Sequence, residues 1–447
     1  MSRSIKPLLS FAIAFITCCH RVFATDIEAG PWLQRLQTNL SQLNNGERVA
    51  TVGGGFRVRY HKEQNFRPTT ALPNRIGLTG ADDSFLLKRT RLWFNHAPTD
   101  SFRVYTELMD AVSVNETHLP RGLDENRLDL HQLYIDTDLN DSLHIKVGRQ
   151  NVGMGSQRIL SSGLAASPEW ANARRAHDGI VFEKQVSTGI LKSFWLQPVA
   201  IQPNQPDRTN HKKSFYGLYL EGEQTETRRT DVYWIAMQDQ ISGIQTDTLG
   251  GFMKGRGRDW QYEFEGGVQL GRQAAGNEYT AGFLFAGLGR EFSAPFNGDI
   301  WFMYDWGSGS DEPGESFHHN LPLGHRYMGF MDMFGRSNIH DINIRFTSDL
   351  TENATLLVWY HYFALANNNT TGPYNVNMTP FAGHPLATTS SRDIGHEIDL
   401  RLSIDLREQN NLTVGYSYFF SGSYYNQPGL PYDGNAEFFY AQYEIEF

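Results

Sequence analysis

The chain is built from short segments in which apolar and polar residues alternate, and this pattern constrains its fold more than any other feature. In one segment Phe56, Val58 and Tyr60 alternate with Arg57 and Arg59. Alternation with period two predicts a β-strand with one apolar and one polar face. We count eighteen such segments, which start near residues 51, 83, 100, 128, 141, 177, 188, 212, 229, 245, 259, 277, 296, 338, 353, 391, 411 and 436.

The gaps between these segments differ in length in a regular way. Short gaps lie at residues 96–100, 186–189, 255–259 and 348–353. Long gaps lie at residues 62–83, 112–127, 152–176, 307–337 and 366–390. After the first 24 residues, no apolar run approaches the roughly 20 residues that a membrane-spanning helix needs. We therefore predict an all-β fold, a transmembrane antiparallel β-barrel of about 18 strands with short periplasmic turns and long extracellular loops.

The two ends of the chain indicate how it reaches a membrane. Arg3 and Lys6 precede an apolar run over residues 8–19, and small residues up to Ala24 fit a cleavage site. The last segment alternates up to Phe447, which resembles the recognition signal of outer-membrane assembly, although a soluble edge strand could also end in Phe. The predicted organisation is a signal peptide at 1–24, an N-terminal segment in the periplasm or at the barrel mouth at 25–50 with a short helix over 32–43, and the barrel at 51–447.

Composition and charge exclude other classes of protein. Aromatic residues make up 13% of the chain and charged residues 20%, which argues against disorder. A formal net charge of −10 without a basic run argues against a nucleic-acid partner. Both cysteines lie within the predicted signal peptide, so we expect the mature fold to be held without disulfides. Tyr and Trp are favoured at membrane interfaces, which accounts for the aromatic excess.

One block of the sequence contains Arg149, Gln150, Gly155, Gln157, Arg158, Trp170, Asn172, Arg174, Arg175, Asp178 and Gly179. At these positions the chain resembles the alginate-export family of outer-membrane porins. Later blocks occur in the same order at 323–338, 395–400 and 415–422. The resemblance covers the chain from about residue 51 to its end. It implies an eighteen-stranded barrel that passes an anionic uronate polymer through an arginine-lined pore.

The polar faces of the predicted strands supply candidate pore residues. Arg presents a planar fork that matches a carboxylate, and rings of charge select ions in narrow pores. Acidic residues share these faces, so any single Arg could instead be the salt-bridge partner of a neighbouring strand. We expect Asp178 to hold one arginine in place. The candidate constriction residues are Arg89, Arg91, Arg149, Arg158, Arg174, Arg175, Asp178, Arg345 and Arg401.

The function that we expect is passive conduction of an alginate-like polyuronate or of small organic anions through the outer membrane. We expect no enzymatic activity, no cofactor and no metal. The expected partners are outer-membrane lipid, the anionic saccharide or small organic anion, and the outer-membrane assembly machinery. Two alternatives stay open: a general or hydrophobic-compound porin on the same scaffold, and a secreted all-β binding protein.

Overall fold

The structure is a computed structural model of the full chain. It describes residues 50–67, 77–118, 120–162, 170–294, 296–312, 314–368, 372–376, 378, 391–407, 409–426 and 434–447. The predicted signal peptide and the predicted helix over 32–43 lie outside these residues, so both stay predictions.

Nineteen strands and one short 3-10 helix make up the described fold. The strands are β1 (Ala50–Gln64), β2 (Asp83–Thr99), β3 (Phe102–Val114), β4 (Asn126–Asn140), β5 (Leu143–Gln150), β6 (His177–Val186), β7 (Gly189–Ala200), β8 (Arg208–Thr209), β9 (Lys213–Gly222), β10 (Arg228–Asp239), β11 (Gln245–Arg256), β12 (Trp260–Arg272), β13 (Glu278–Phe292), β14 (Gly298–Gly307), β15 (Ile339–Thr351), β16 (Ala354–Leu365), β17 (Asp393–Arg407), β18 (Asn410–Ser421) and β19 (Ala436–Glu446). The 3-10 helix is Gly324–Arg326.

Eighteen of the strands close into an antiparallel barrel, as the alternation predicts. Each pairs with its neighbours along the chain, and β19 returns to pair with β1. The closing bonds join Gly54 and Phe447 through both of their backbone groups, at 2.8 and 2.9 Å. The two-residue β8 pairs only with the end of β7 and is an addition to the predicted strands. Among the eighteen described barrel strands, closure pairs both edges of every strand, as a lipid environment requires.

Each barrel strand begins within two residues of its predicted start. Long connections follow β1, β3, β5, β7, β14, β16 and β18, and tight turns separate pairs such as β6 and β7. The long connections therefore lie at one end of the barrel and the other end has only short turns, as in outer-membrane barrels. None of the helices in the described residues is long and apolar enough to cross a membrane.

The two faces of the wall differ as the period-two pattern requires. Leu249 and Val268 on the outer face are 67% and 56% exposed, which is the apolar surface that lipid covers. Polar inner-face residues such as Arg89 and Gln442 are buried. They are buried because long loops fold into the lumen and pack on the inner wall.

Candidate functional site

Two loops enter the lumen and join there into one unit. We call residues 151–162 the first inner loop and residues 308–338 the second inner loop. Leu160 and Leu321 form a parallel β-bridge between them. The amide of Ser161 donates to the carbonyl of Leu321 at 2.8 Å, and that of Leu321 donates to Ile159 at 3.0 Å. We call the joined loops the inner body.

One apolar cluster fixes the inner body to the β7–β13 side of the wall, and a second packs the second inner loop against β16–β19. Met154 and Leu160 of the first loop and Phe317 of the second belong to one buried cluster with wall residues such as Phe215 and Phe283. The rings of Phe283 and Phe317 stack at 5.0 Å between centroids. Full burial of such a side chain contributes roughly 1.5–3 kcal/mol. On the β7–β13 side the lumen is thus occupied by protein.

Arg158 anchors the first inner loop to β12. Its Nη1 lies 2.7 Å from Glu263 and 3.0 Å from Glu265, and its guanidinium stacks on Phe285 and Tyr327. Burial alone would lower the pKa of Arg158, but Tyr327 and the two carboxylates outweigh it and raise the pKa above its usual range. Arg158 is thus a fully charged group neutralised by protein partners.

Arg336 anchors the second inner loop in a similar way. Its Nη2 donates to Asp305 on β14 at 2.6 Å, and its Nη1 donates to the carbonyl of Arg158 at 3.3 Å. Both members of the ion pair are about 1% exposed. Breaking a buried pair by removing one partner costs roughly 3–5 kcal/mol. Arg336 therefore ties the two loops to each other and to the wall.

The second inner loop also docks on two carboxylates of β17. The amide of Met331 donates to Glu397 at 3.0 Å, and the amide of Phe330 donates to Asp399 at 3.2 Å. Gly329 precedes these amides with a φ of 83°, and a Cβ atom there would lie 2.6 Å from a Glu397 oxygen. Only glycine combines this backbone conformation with so close an approach.

A group of arginines lies on the opposite side of the lumen, on the inner face of β1 and β2. Arg57 and Arg89 are direct cross-strand neighbours, and both are buried. Like charges placed opposite each other destabilise a sheet, so this pair is unfavourable for folding alone. Arg89 donates to Glu444 at 2.8 Å, and Arg91 lies 2.6 Å from Glu446. We call Arg57, Arg59, Arg89 and Arg91 the basic wall.

Arg174 and Arg175 enter the lumen from residues 170–176, the segment that precedes β6. Arg174 lies 3.8 Å from Glu107, and Arg175 donates to the carbonyl of Pro322 in the second inner loop. Burial, followed by the charges of Arg89 and Arg91, lowers the pKa of Arg174 well below its usual range. Burial also lowers the pKa of Arg175. The structure thus brings Arg174 to the basic wall and Arg175 to the inner body.

The other candidate residues lie apart from the basic wall. Arg149 and Asp178 are opposite each other on β5 and β6, with two hydrogen bonds at 3.0 and 3.2 Å. Arg149 also donates to the carbonyl of Asp207, in the loop after β7, so the pair fastens that loop to the strand ends. Arg345 on β15 faces Trp301, and Arg401 on β17 faces Phe330, at 5.8 and 5.5 Å from the ring centroids.

A second set of lumen-facing bases is paired differently. Lys192 on β7 lies 3.1 Å from both Glu183 and Glu221. Arg229 on β10 lies 3.1 Å from Glu221 and 2.6 Å from Asp231. Bases and acids alternate along this row, so each cation is neutralised by its strand neighbours. We call these five residues the paired ladder.

Arg57, Arg59 and Arg336 contact the site but were not among the predicted constriction residues. Arg57 and Arg59 were detectable, because they occupy the polar face of the first strand. Arg336 lies within the block at 323–338 that resembles the family, but it is in a loop, where alternation does not predict which way a side chain points. Its role depends on a contact with Asp305 that only the folded loop creates.

Comparison with known proteins agrees with this architecture. The sequence profile of a family described as alginate export matches residues 48–436. No curated protein matches the chain. Among solved structures, Pseudomonas aeruginosa OccD3 (OpdP) is similar with a TM-score of 0.58 at 9% identity, covering 89% of this chain and 91% of that one.

Two further structures show the same likeness in fold. Acinetobacter baumannii OccAB1 is similar with a TM-score of 0.58 at 10% identity, over 89% of this chain and 96% of that one. Pseudomonas aeruginosa OpdK, solved with vanillate, has a TM-score of 0.55 at 10% identity, over 89% of this chain and 98% of that one. At these identities the likeness concerns the barrel alone.

Proposed function

The chain belongs to the alginate-export family and forms an outer-membrane channel, and from this premise we propose that it conducts anionic solutes selectively. The observation that supports the proposal is the basic wall, where Arg57 and Arg89 are held side by side against the folding preference for opposite charges. Transport of this kind is passive and follows the solute gradient. The solute is a polyuronate or a small organic carboxylate.

Arginine suits this role because of its geometry and its charge. The guanidinium stays charged at all working pH values and donates two parallel bonds to one carboxylate. Two positive groups in a lumen of low effective dielectric attract an anion and repel a cation, and each 1.4 kcal/mol of this difference changes the permeability ratio about tenfold. We propose that Arg89, Arg91 and Arg174 select anions beside Arg57 and Arg59, with Arg401 on β17 and Arg345 on β15 further round the wall.

The size of the solute separates two versions of the proposal. The inner body fills the lumen on the β7–β13 side, which leaves less room for a polymer than an open barrel would. Vanillate, present in the similar OpdK structure, is a small carboxylate. This observation favours small organic anions as the second candidate beside a uronate polymer.

The experiment is a current measurement on the refolded protein in a planar bilayer under a KCl gradient. We expect the reversal potential to show anion selectivity. Oligomannuronate and vanillate are then added separately to one side, with neutral maltose as the control. Block by oligomannuronate supports the polymer, and block by vanillate alone supports the small anion. A cation-selective current would contradict both versions.

The C-terminal strand supports a further part of the proposal. The backbone of Phe447 pairs with Gly54 of β1, so the alternating last strand is the one that closes the barrel. We propose that the outer-membrane assembly machinery recognises this strand before closure. Deletion of Phe447 should reduce the amount of folded barrel in the outer membrane, measured by heat-modifiable migration on a gel. An unchanged amount would contradict this assignment.

A further inference from the structure

A short segment of the chain covers the basic wall. We call residues 170–173 the strap. Arg59 donates to the carbonyl of Trp170 at 2.6 Å, and Arg57 and Arg89 donate to the carbonyl of Ala171 at 3.0 and 3.2 Å. Three guanidinium groups of the wall thus converge on two neighbouring carbonyl oxygens of the strap.

Carbonyl oxygens are weaker partners for arginine than the anions that the channel conducts. A carboxylate carries a full negative charge that attracts the guanidinium by Coulomb forces, whereas a backbone carbonyl offers only the partial charge of its dipole. The guanidinium fork also matches the two oxygens of a carboxylate, whereas each carbonyl offers a single oxygen. A solute carboxylate at the position of these carbonyls would bind the three arginines better than the strap does.

We infer that Arg57, Arg59 and Arg89 form a carboxylate-binding site whose occupant in this state is the strap, and that an anionic solute displaces it. The inference rests on the proposed function, because it assumes that anions enter the lumen. The ligand class is a carboxylate-bearing sugar or a small organic acid. The strap is then an internal competitor that keeps the site covered until a solute arrives.

Contacts beyond the arginines determine how readily the strap moves. The side-chain amide of Asn172 donates to the carbonyls of Asp124 at 2.9 Å and Lys88 at 3.1 Å. The amide of Ala173 donates to the carbonyl of Leu123 at 2.8 Å. These polar bonds fasten the strap to the loop before β4 and to β2. The side-chain oxygen of Asn172 also accepts a bond from Arg57 at 3.1 Å, so the Ala173–Leu123 contact is the place where the mobility of the strap can be changed without removing a contact of the three arginines.

The ring of Trp170 is the apolar part of the strap. It lies between the guanidinium of Arg59, 4.0 Å from the ring centroid, and the imidazole of His325, with ring centroids 4.0 Å apart. Tyr440 of β19 contacts it edge-on. The second inner loop therefore supports the strap through His325.

The first experiment locks the strap by a disulfide. The chain has two cysteines, Cys18 and Cys19, both in the predicted signal peptide, so Leu123→Cys with Ala173→Cys introduces the only pair in the mature protein. Chloride current is measured with added sodium glucuronate, before and after reduction. We expect glucuronate block to be at least about tenfold weaker in the oxidised channel and to recover on reduction.

A matched lock separates this effect from general stiffening. Leu160→Cys with Leu321→Cys joins the two inner loops at their β-bridge and leaves the strap untouched. We expect its oxidation to leave glucuronate block unchanged. Equal block in the oxidised and reduced forms of the strap variant, with the disulfide verified by mass, would overturn the inference.

The second experiment loosens the strap and needs no disulfide. Asn172→Ala removes the bonds to Asp124 and Lys88 and also the amide oxygen that accepts a bond from Arg57 at 3.1 Å, and we expect glucuronate to block at about tenfold lower concentration. Unchanged or weaker block in correctly folded protein would overturn the inference. Failure of the proposed function looks different, because the wild-type and reduced channels would then lack anion selectivity altogether.

Discussion

The basic wall and the paired ladder use the same residue types on the same inner face, but they arrange charge in opposite ways. In the ladder, Lys192 and Arg229 alternate with carboxylates at 2.6–3.1 Å. On the wall, Arg57 and Arg89 lie next to each other, and the strap offers them a carbonyl oxygen. The ladder alternates cations with acids, whereas the wall places two guanidinium groups side by side, with Glu444 as an acidic partner of Arg89. The comparison supports our proposal that anions are selected on β1 and β2.

The largest effect should come from breaking the ladder. Asp231 is fully buried and accepts bonds from Arg229 and from the phenol of Tyr219. Asp231→Ala should lower the free energy of unfolding by roughly 3–5 kcal/mol, because it leaves Arg229 without its main buried partner. Urea titration in detergent measures this change in the free energy of unfolding, with the folded fraction read from heat-modifiable migration on a gel. A loss below about 1 kcal/mol would mean that the ladder is not structural.

Acid pH should loosen the second inner loop while leaving the wall unchanged. Burial and the charge of Lys213 lower the pKa of His318 to about 4, and its Nδ1 accepts a bond from the amide of Asn320. The pKa of His318 in the folded protein lies below the unfolded value of about 6.5. The contribution of neutral His318 to the free energy of unfolding is therefore present above pH 6.5 and is lost as pH falls toward 4. At pH 5 the loss is roughly 2 kcal/mol.

The measurement is single-channel conductance between pH 7 and pH 5. We expect conductance or its noise to increase at the lower pH as the inner body loosens, and His318→Gln to reduce this dependence. Anion selectivity should persist, because arginine does not titrate in this range. Loss of selectivity together with the change in conductance would contradict the division between wall and inner body.

Neutralising the wall should reduce anion selectivity in the folded barrel. In Arg57→Gln with Arg89→Gln, the like-charge pair disappears, and we expect the chloride-to-potassium permeability ratio to fall about tenfold, which corresponds to about 1.4 kcal/mol. Reversal potentials under a KCl gradient measure the ratio. An unchanged ratio in folded protein would show that selection occurs elsewhere, for example at Arg345 and Arg401.

The smallest effect should come from a single base of the ladder. Lys192→Gln removes one partly exposed cation, and its two partners, Glu183 and Glu221, remain close to water. Exposed pairs contribute about 0–1 kcal/mol, so we expect selectivity within about twofold of wild type. This variant is the matched control for the wall variants. A tenfold change would mean that ladder and wall act on the solute alike.

The barrel itself was predictable because a strand in a membrane has one apolar and one polar face. Alternation predicted the first residue of every barrel strand to within two positions, including that of β7, whose pattern is less regular. The same alternation placed Arg57, Arg59, Arg89 and Arg91 on the inner face. Alternation could not show which of these arginines lie opposite an acid and which lie opposite another arginine. Cross-strand register decides this, and register depends on turns and closure.

The sequence by itself therefore determined the all-β barrel, its strand number and the direction of the side chains on each strand, since all of these follow from a local period of two residues. Only the tertiary structure decided what each charge contacts. Arg158, a candidate pore residue, lies against Glu263 and Glu265, and Arg57 lies against Arg89 and the strap. These contacts join residues more than a hundred positions apart or on different strands, and loops that fold into the lumen follow no period.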